Sequence, residues 1–325
     1  MSDVLISTKA LSKHYTIGKG LFGSNSRVVR AVDGVDLEIH ARETFALVGE
    51  SGCGKTTLGR TLLRLIERTS GEVLYRGEPL GALDEKAMRA MRKKLQIIFQ
   101  DPFASLNPRM RVKDILAEPL RAHGYGSEAE IEKRCKELLN MVGLLPHLLR
   151  RYPHQFSGGQ RQRIGIARAL ANNPEFVVCD EAVSALDVSI QAQVLNLLRD
   201  LQEQLKLTYL FITHDLSVVR QFADRIGVMF LGRLVEVGTT EEIFASPRHP
   251  YTMFLISAVP RPDPHQRNRE RPMLVGDIPS PMNLPSGCRF HTRCPYAQAI
   301  CKQEDPVLAD RSGRTVACHF PLEAT

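Results

Sequence analysis

The chain has 325 residues, of which 43% are hydrophobic and 24% charged, and it carries a formal net charge of +7. This composition is that of an ordinary globular protein, and the length allows one large domain with an appendage or two smaller domains. The longest apolar runs, such as Phe176 to Cys179, are too short to cross a bilayer, and the N-terminus lacks the basic-then-apolar pattern of a secretory signal, so we expect a cytosolic chain. Because lysines and arginines are dispersed with few aromatic residues among them, the charge favours a solvated basic surface and does not identify a partner.

The first part of the chain has the pattern of β-structure. Residues Val4 to Tyr15 and Val28 to Ile39 predict a strand and a strand pair, separated by a glycine-rich turn from Gly18 to Ser26. An apolar run beginning at Phe45 then leads into Gly49-Glu50-Ser51-Gly52-Cys53-Gly54-Lys55-Thr56-Thr57, which fits the pattern G-x-x-x-x-G-K-[ST]. With a strand before it and a helix after it, from about Gly54 to Ile66, the match predicts a phosphate-binding loop rather than an unspecialised glycine-rich turn.

The residue types of this loop indicate its chemistry. Gly49, Gly52 and Gly54 let the backbone curl so that successive N–H groups face inward and form an anion-binding nest at the helix start. Lys55 would reach the β- and γ-phosphates of a nucleotide, and the Thr56 hydroxyl would coordinate Mg²⁺. Upstream, Tyr15 could stack on adenine or simply pack, and the residues alone do not decide between the two. The loop predicts a nucleotide site without identifying its task.

The next part of the chain alternates strands and helices and then becomes helical. The first predicted elements are a strand from Glu72 to Tyr75, a helix from Asp84 to Lys94, and a strand from Leu95 to Phe99 that ends at Gln100. Asp101 to Met110 contains two prolines and no helical or strand period, which predicts a loop. From Lys113 to Leu149 apolar residues recur at three- and four-residue steps, so we predict a small helical subdomain inserted between core strands.

Two polar clusters follow, one at a helix start and one at a strand end. Ser157-Gly158-Gly159-Gln160 precedes a helical run, where Ser157 suits the N-cap and free N–H groups are able to meet an anion. The apolar run from Phe176 ends in Asp180 and Glu181, as expected for a buried parallel strand with catalytic groups at its C-terminal edge. We expect Asp180 to hold Mg²⁺ through water and Glu181 to orient or deprotonate the attacking water, the alternative being two acids that merely end a strand.

The last predicted site residue stands at another strand end. Ser184 to Asp187 opens a helix whose apolar residues share one face. The strand from Thr208 to Thr213 then delivers His214, which is either a polar terminus or, in a phosphate site, a contact to the γ-phosphate that helps to place the water. Two further strands and a short helix from Thr240 to Ala245 complete a compact α/β domain.

In order, the chain presents a phosphate loop, Gln100, Ser-Gly-Gly-Gln, a strand ending in Asp-Glu, Ser-Ala-Leu-Asp and a late histidine. This ordered set closely resembles the ATP-binding-cassette (ABC) ATPases over about Val4 to Ala245. The resemblance implies an ATP-hydrolysing α/β protein with a P-loop NTPase core, an antiparallel β lead-in and an inserted helical subdomain. Such ATPases work as head-to-tail pairs that sandwich two ATP molecules, so the resemblance implies a partner ATPase subunit.

The resemblance also assigns roles to positions of this chain. It implies that Tyr15 stacks on adenine, that Gln100 senses Mg²⁺ and transmits closure of the site, and that Ser157 to Gln160 completes the site of the opposing subunit. Catalytic roles are expected for Lys55, Gln100, Glu181 and His214, and Mg²⁺ ligands are expected at Thr56, Gln100 and Asp180. The remaining expected nucleotide contacts are Gly49, Ser51, Gly52, Cys53, Gly54, Thr57, Ser157, Gly158, Gly159, Gln160 and Asp187.

The segment after Gln100 and the tail carry a finer resemblance. Pro247 to Thr252, Pro279-Ser280-Pro281 and Gly287-Cys288 look like the ATPase subunits of peptide importers of the dipeptide and oligopeptide permease group, more specifically the second of their two ATPases. This implies a heterodimer with a homologous ATPase, two integral membrane permease subunits, an extracytoplasmic solute-binding protein acting indirectly, and a place on the cytoplasmic face of the inner membrane. No nucleic-acid partner is expected.

Other functions remain open at this point. Relatives in the same group import nickel, glutathione or other small solutes, so the cargo is not fixed. A soluble cassette ATPase acting on nucleic acid or ribosomes is a less favoured alternative, because the chain has one cassette and one compact helical insert. An exporter ATPase is possible, but the tail after Pro247 argues against it.

The composition changes after residue 259. We predict a nucleotide-binding domain over residues 1–259, with the helical subdomain at about 100–172, and an extension over residues 260–325. The extension begins with a polar, proline-bearing linker from Pro260 to Pro272. Four of the seven cysteines lie in the extension with the spacing C-x5-C-x6-C-x16-C; they are Cys288, Cys294, Cys301 and Cys318.

This cysteine-rich module is predicted to be held together by a metal. Disulfides are not expected in a cytosolic chain, and the segment has little apolar content with which to fold unaided. Four thiolates suit either tetrahedral zinc or an iron–sulfur cluster, and the spacing matches neither zinc ribbons nor the usual ferredoxin run. Resemblance to peptide-importer ATPases, whose tails can carry a [4Fe–4S] cluster, favours the cluster over zinc or unliganded thiols.

Overall fold

The structure, a computed structural model, describes residues 3–18, 27–259, 276–277, 279–310 and 314–323, without the side chains of residues 102 and 103. Most of the predicted glycine-rich turn and the linker from Pro260 to Pro272 lie outside the described residues. The strands are β1 (Val4–Ile17), β2 (Arg27–His40), β3 (Thr44–Val48), β4 (Ser70–Tyr75), β5 (Glu78–Pro79), β6 (Leu95–Ile98), β7 (Phe176–Asp180), β8 (Thr208–Ile212), β9 (Arg225–Phe230), β10 (Arg233–Thr239), β11 (Ala309–Asp310) and β12 (Thr315–Val316). The helices are α1 (Lys55–Leu62), α2 (Glu85–Met91), α3 (Pro102–Ser105), α4 (Val112–Ala122), α5 (Glu128–Met141), α6 (Gly158–Ala169), α7 (Val188–Leu205), α8 (Leu216–Phe222), α9 (Thr240–Ala245), α10 (Pro250–Ser257) and α11 (Ala299–Gln303).

The chain divides into two compact units. The loop unit contains the predicted phosphate loop and comprises Val4–Ile39, Phe45–Pro79 and Thr213–Thr325. The helical unit comprises Met1–Asp3, His40–Thr44 and Leu80–Ile212.

The loop unit contains an antiparallel sheet and a second group of strands. The antiparallel sheet has the order β2-β1-β4-β5. In the second group β3 runs parallel to β9, with Phe45 opposite Arg225, and β10 pairs antiparallel with both β9 and β12. Strand β3 is buried at every position, as the apolar run from Phe45 predicts. The predicted strand pair over Val28 to Ile39 is wrong, because β2 continues through Gly34 (φ 66°) as a single strand.

The helical unit contains parallel strands and a group of packed helices. Strand β7 lies between β6 and β8, with Phe176 opposite both Leu95 and Thr208, and both β7 and β8 are fully buried. The helices expected between Lys113 and Leu149 are present as α4 and α5, whose apolar faces are buried. The loop predicted over Asp101 to Met110 contains the single turn α3, and a proline at its first position is compatible with helix because the missing N–H would have no partner there.

An aromatic cluster attaches the C-terminal segment to the loop unit. Phe230 of β9, Tyr251 and Phe254 of α10, and Phe290 of the C-terminal segment pack together in the buried core. Ring centroids lie 4.7 Å apart for Phe230 and Tyr251, and 5.4 Å apart for Phe290 and each of these two rings. Aromatic burial on this scale contributes strongly to packing, so Phe290 fixes the segment that follows Gly287.

His249 beside this cluster leads to a prediction on stability. The residue is 1% exposed, and its Nδ1 accepts a hydrogen bond from the Tyr251 N–H at 3.0 Å, capping α10. Burial lowers the pKa of His249 to about 3 from 6.5. Between these two pKa values the unfolded chain therefore binds more protons than the folded chain. The free energy of unfolding falls as the pH falls from about 6.5 towards 3, by at most about 1.4 kcal/mol per pH unit.

We expect His249→Asn, which keeps a capping acceptor but does not titrate, to flatten the pH dependence of the free energy of unfolding between pH 7 and pH 5. Urea denaturation at both pH values measures this difference for the two proteins. An identical slope in wild type and variant would mean that other groups set the acid sensitivity.

Candidate functional site

The predicted phosphate loop connects β3 to α1 and requires its glycines. Gly49, Gly52 and Gly54 all have positive φ, at 150°, 79° and 110°. A Cβ at Gly49 would lie 2.1 Å from the Met229 carbonyl oxygen, and one at Gly54 would lie 2.0 Å from the Ala31 carbonyl oxygen. Positive φ disfavours a side chain at all three positions, and close packing also excludes one at Gly49 and Gly54.

Lys55 begins α1 and folds back over the loop. Its Nζ donates to the carbonyl oxygens of Gly49 at 2.7 Å and Glu50 at 3.0 Å, and lies 3.8 Å from Cys53 Sγ. Burial raises the pKa of the Cys53 thiol in spite of the neighbouring ammonium group, so Cys53 stays protonated and fills space in the loop. Helix α1 ends at Leu62, earlier than the predicted Ile66.

The other predicted loop residues occupy positions that a nucleotide can reach. Ser51 and Gly52 are exposed at the tip of the loop, and Thr56 and Thr57 are half-buried in the first turn of α1. The hydroxyl of Thr56 is thus one residue beyond the lysine, at the start of the helix. This is the order of groups that phosphate and Mg²⁺ binding requires.

Two further predicted residues belong to the loop unit. Tyr15 lies half-buried near the end of β1, with Lys13 Nζ 4.9 Å from its ring centroid. His214 is exposed and follows Thr213, whose N–H donates to the Leu47 carbonyl oxygen at 3.3 Å. The His214 segment therefore starts beside β3, the strand that leads into the phosphate loop.

In the helical unit the structure brings Gln100 and Glu181 into direct contact. Gln100 Nε2 donates to Glu181 Oε2 at 2.6 Å. Asp180 ends β7 and is 1% exposed, while Glu181 has φ 48° and donates its N–H to the Ile212 carbonyl oxygen at 3.0 Å. A left-handed backbone at a residue other than glycine, asparagine or aspartate is uncommon and costs energy, and such strain concentrates at functional sites.

The Ser-Gly-Gly-Gln stretch starts α6 as predicted. Ser157 Oγ accepts from the Gln160 N–H at 3.3 Å, and Gln160 Oε1 accepts from the Ser157 N–H at 3.2 Å, forming a capping box. Gly158 is half-buried next to the cap. A Cβ at Gly159 would lie 2.5 Å from Cγ2 of Ile190, so glycine allows α6 and α7 to approach. The exposed Ser157 and Gln160 leave this helix start accessible.

Asp187 caps the next helix by its backbone rather than its side chain. Helix α7 begins at Val188, two residues after Leu186, and the Asp187 side chain makes no capping hydrogen bond. The Gln191 N–H donates to the Asp187 carbonyl oxygen at 2.8 Å. The predicted helix start at Ser184 is therefore corrected to Val188, and the Asp187 side chain is exposed at the surface of the helical unit.

Comparison with known proteins identifies the family. An ABC transporter family model matches residues 32–184, and a model for the C-terminal region of oligopeptide/dipeptide transporters matches residues 235–301. Over 321 residues the chain is 50% identical to the oligopeptide transport ATP-binding protein AppF of Bacillus subtilis, covering 98% of each chain. The chain belongs to the ATP-binding proteins of ABC transporters.

Solved structures agree with this family. The ABC transporter ATPase resembles the ATP-binding cassette MJ0796, in a dimeric post-hydrolysis state bound to ADP and Pi, with a TM-score of 0.64 and 31% identity over 73% of this chain and 99% of that chain. It also resembles cbiO1 from Clostridium perfringens, part of the ABC transporter complex cbiONQ, with a TM-score of 0.64 and 28% identity over 75% of this chain and 91% of that chain. The predicted family, ATPase class and P-loop α/β fold are confirmed. None of the helices in the described part of this ABC ATPase has the length and apolarity to span a membrane.

The four C-terminal cysteines of this ABC ATPase line one small cavity. Cys288, Cys294, Cys301 and Cys318 share it with His249 and other side chains. Burial raises the pKa of Cys288 to about 12 and also raises that of Cys294, as expected for protonated thiols in apolar surroundings. Among the described residues, no group of three or more His, Cys, Asp or Glu is arranged to hold a metal ion. The thiols therefore share a cavity without forming a ligand set as they stand.

Two contacts onto the phosphate loop of the ABC ATPase were not predicted. Arg293 donates to the Glu50 carboxylate through Nη1 at 3.0 and 3.2 Å and through Nη2 at 3.2 Å. The Tyr251 hydroxyl accepts from the Glu50 N–H at 2.9 Å. Resemblance to peptide-importer ATPases had marked the segments around Tyr251 and Cys288, but neither contact follows from a local pattern.

Proposed function

We propose that this ABC ATPase powers the import of di- or oligopeptides through an inner-membrane permease. The observation that carries the proposal is that the chain with the cassette motifs also matches the oligopeptide/dipeptide transporter C-terminal region over residues 235–301. AppF, whose name describes oligopeptide transport, covers nearly the whole chain. A different small solute, such as nickel or glutathione, is the second candidate for the cargo.

The proposed ATP site is centred on the phosphate loop. The phosphate loop from Gly49 to Thr57 binds the phosphates through its N–H groups and Lys55, and Tyr15 stacks on the adenine. Thr56, Asp180 and Gln100 offer the oxygen ligands that Mg²⁺ prefers, and Mg²⁺ would neutralise charge on the β- and γ-phosphates.

Hydrolysis then requires a base and a way to place water. Glu181 accepts a proton from a water molecule whose oxygen attacks the γ-phosphorus, and ADP leaves with the electrons of the broken bond. His214 contacts the γ-phosphate and helps to place the water. Gln100 Nε2 donates to Glu181 Oε2 at 2.6 Å, which orients the carboxylate, and a carboxylate that accepts one hydrogen bond can still accept a proton. This contact links the base to the segment that follows Gln100.

The proposed assembly contains a second, homologous ATPase subunit. The start of α6, from Ser157 to Gln160, where Ser157 and Gln160 are exposed, would complete the ATP site of that subunit. Asp187 would add a nucleotide contact. Two integral permease subunits would place the pair on the cytoplasmic face of the inner membrane, and a solute-binding protein on the other side would supply the cargo. In this proposal the chain is the second ATPase type of its group, with a nucleotide-binding domain over residues 1–259, a helical subdomain at about 100–172 and an extension over residues 260–325.

The proposal includes a metal on the extension. Four thiols on one cavity are a soft donor set that fits a [4Fe–4S] cluster first and zinc second, with Cys288, Cys294, Cys301 and Cys318 as ligands. Because the thiols are not arranged as a ligand set in the described structure, they would have to close together on the metal. The metal would supply a covalent staple for a segment with little apolar core.

A mild-detergent pull-down of the tagged chain from its native membranes tests the assembly. We expect a second ATPase and two integral permease subunits by mass spectrometry, and about four iron atoms per chain with little zinc. Cys294→Ser should lose the metal, whereas the matched control Cys135→Ser, on α5, should retain it. Recovery of ribosomes or DNA without membrane proteins would contradict the importer function, and wild type without iron or zinc would contradict the metal proposal alone.

A further inference from the structure

The segment from Cys288 to Cys294 carries two arginines that hold the phosphate loop from outside. Arg293 donates to the Glu50 carboxylate at 3.0 to 3.2 Å, and its side chain is 7% exposed against 22% for Glu50. Two guanidinium nitrogens donate to this carboxylate, and such charge-assisted hydrogen bonds are stronger than neutral ones. This contact joins positions 243 residues apart in the sequence.

Arg289 of the same segment supports the loop by a second route. Its guanidinium donates to the Leu231 carbonyl oxygen and to Asp33. The next residue, Gly232, donates its N–H to the Cys53 carbonyl oxygen at 2.8 Å and accepts from the Asp33 N–H at 2.9 Å. Arg289 therefore fixes the turn that holds Cys53, while Arg293 and Tyr251 hold Glu50. Glu50 and Cys53 both occupy x positions of the pattern G-x-x-x-x-G-K-[ST].

The Glu50 carboxylate would repel bound phosphates if Arg293 did not pair with it. Its backbone lies inside the loop, next to Gly49 and at 3.0 Å from Lys55 Nζ through its carbonyl oxygen. A triphosphate bound on this loop would have an ionised carboxylate nearby, and like charges a few ångströms apart in a partly buried site repel. Because the Arg293 guanidinium pairs with this carboxylate, the Glu50 charge is neutralised where the nucleotide would bind.

We infer that Arg293 is a positioning residue for ATP binding, which holds Glu50 away from the bound phosphates and cancels its charge. The inference rests on the proposed use of the phosphate loop as the ATP site. It gives the segment from Cys288 to Cys294 an indirect role in ATP binding. Arg293 acts through Glu50 and does not itself contact the nucleotide.

The test measures ATP affinity with a fluorescent ATP analogue, and KM and kcat for ATP hydrolysis, in the full chain. We expect Arg293→Ala to raise Kd and KM about tenfold with kcat within about threefold of wild type, because an unpaired Glu50 carboxylate repels the nucleotide before and during reaction. Adding Glu50→Gln to Arg293→Ala should restore both values to within about twofold of wild type. Raising the salt concentration from 50 to 500 mM should shrink the defect of the single variant, since screening weakens repulsion.

Matched variants separate this role from packing. Arg314 lies further along the extension, is 11% exposed, lies 4.0 Å from the Glu236 carboxylate, and donates to the carbonyl oxygens of Ser246 and Glu242. None of these partners belongs to the phosphate loop. Arg314→Ala should lower thermal stability and leave the ATP affinity unchanged. Arg293→Lys, which keeps the charge, should bind ATP within about threefold of wild type and replaces the alanine variant if that variant does not fold.

The outcomes distinguish the inference from the function on which it rests. Wild-type ATP affinity in Arg293→Ala, or a defect that Glu50→Gln does not relieve, would overturn the positioning role. In either case Lys55→Ala tests the ATP site independently. If Lys55→Ala also binds ATP like wild type, the site itself is misassigned.

Discussion

The Glu181→Gln variant is expected to bind ATP with near wild-type affinity and to hydrolyse it at least about 100-fold more slowly. Removal of a positioned general base typically costs factors of 10² to 10⁴, or about 3 to 5 kcal/mol of activation free energy. Glutamine keeps the size of the side chain and can still bond to Gln100, which contacts Glu181 at 2.6 Å. The backbone strain at φ 48° is unchanged by the substitution, so the loss is expected in kcat and not in folding.

Phosphate release under saturating ATP and binding of a fluorescent ATP analogue measure the two quantities for Glu181→Gln. Glu175→Gln is the matched control, because Glu175 immediately precedes the same strand and pairs with Lys94 at 3.1 Å at the opposite end from the site. The control should turn over like wild type. Full activity in Glu181→Gln would remove Glu181 from the role of base.

The Lys55→Ala variant is expected to lose ATP affinity by about 100-fold or more. Its ammonium group is the cation placed over the loop, donating to the Gly49 and Glu50 carbonyl oxygens at 2.7 and 3.0 Å. Charge-assisted hydrogen bonds to two phosphates are among the strongest polar contacts a side chain makes, and alanine removes them together with the bonds that shape the loop.

Equilibrium binding of the same analogue measures the affinity of Lys55→Ala, with thermal unfolding recorded in parallel because the loop also loses its internal contacts. Lys86→Ala, at an exposed position on α2, controls for the change in net charge. We expect wild-type affinity in the control. Equal affinities of Lys55→Ala and wild type would show that nucleotide binds elsewhere.

The sequence predicts the elements whose determinants are local. Helix α9 has the predicted bounds, Thr240–Ala245, because its capping box is formed by Thr239 and Glu242, which are close in sequence. Ser157 caps α6 for the same reason. The glycines of the phosphate loop are also local signals, since each has a positive φ and two of them face a carbonyl oxygen that leaves no room for a Cβ.

Errors arise where local signals compete. The pattern over Val28 to Ile39 predicts a strand pair, but β2 continues through Gly34 as one strand beside β1. Proline at position 102 argues against helix in general and favours it at a first position, which is where α3 places it. The start of α7 at Val188 depends on which backbone carbonyl accepts the first helical bond, and composition does not specify that.

Contacts between distant residues are not predictable from patterns at all. Arg293 and Glu50 meet because Phe290 packs in the aromatic cluster with Tyr251 and orients the segment between Cys288 and Cys294. The clustering of four cysteines predicts that they share a place in the fold, and they do line one cavity. In the described structure these cysteines are not arranged as metal ligands. Their relative orientation depends on tertiary packing, which the sequence spacing does not reveal.

The central claim is that ATP hydrolysis by this chain drives peptide import, and transport by the complete complex tests it most directly. Purified transporter would be placed in proteoliposomes with ATP enclosed at the face of the ATPase subunits, and the solute-binding protein and a radiolabelled dipeptide or tripeptide on the other side. We predict ATP-dependent peptide movement with the wild-type chain and none with Glu181→Gln. Equal transport by both complexes, or ATP turnover by the wild type without movement of any peptide, would contradict the proposed function.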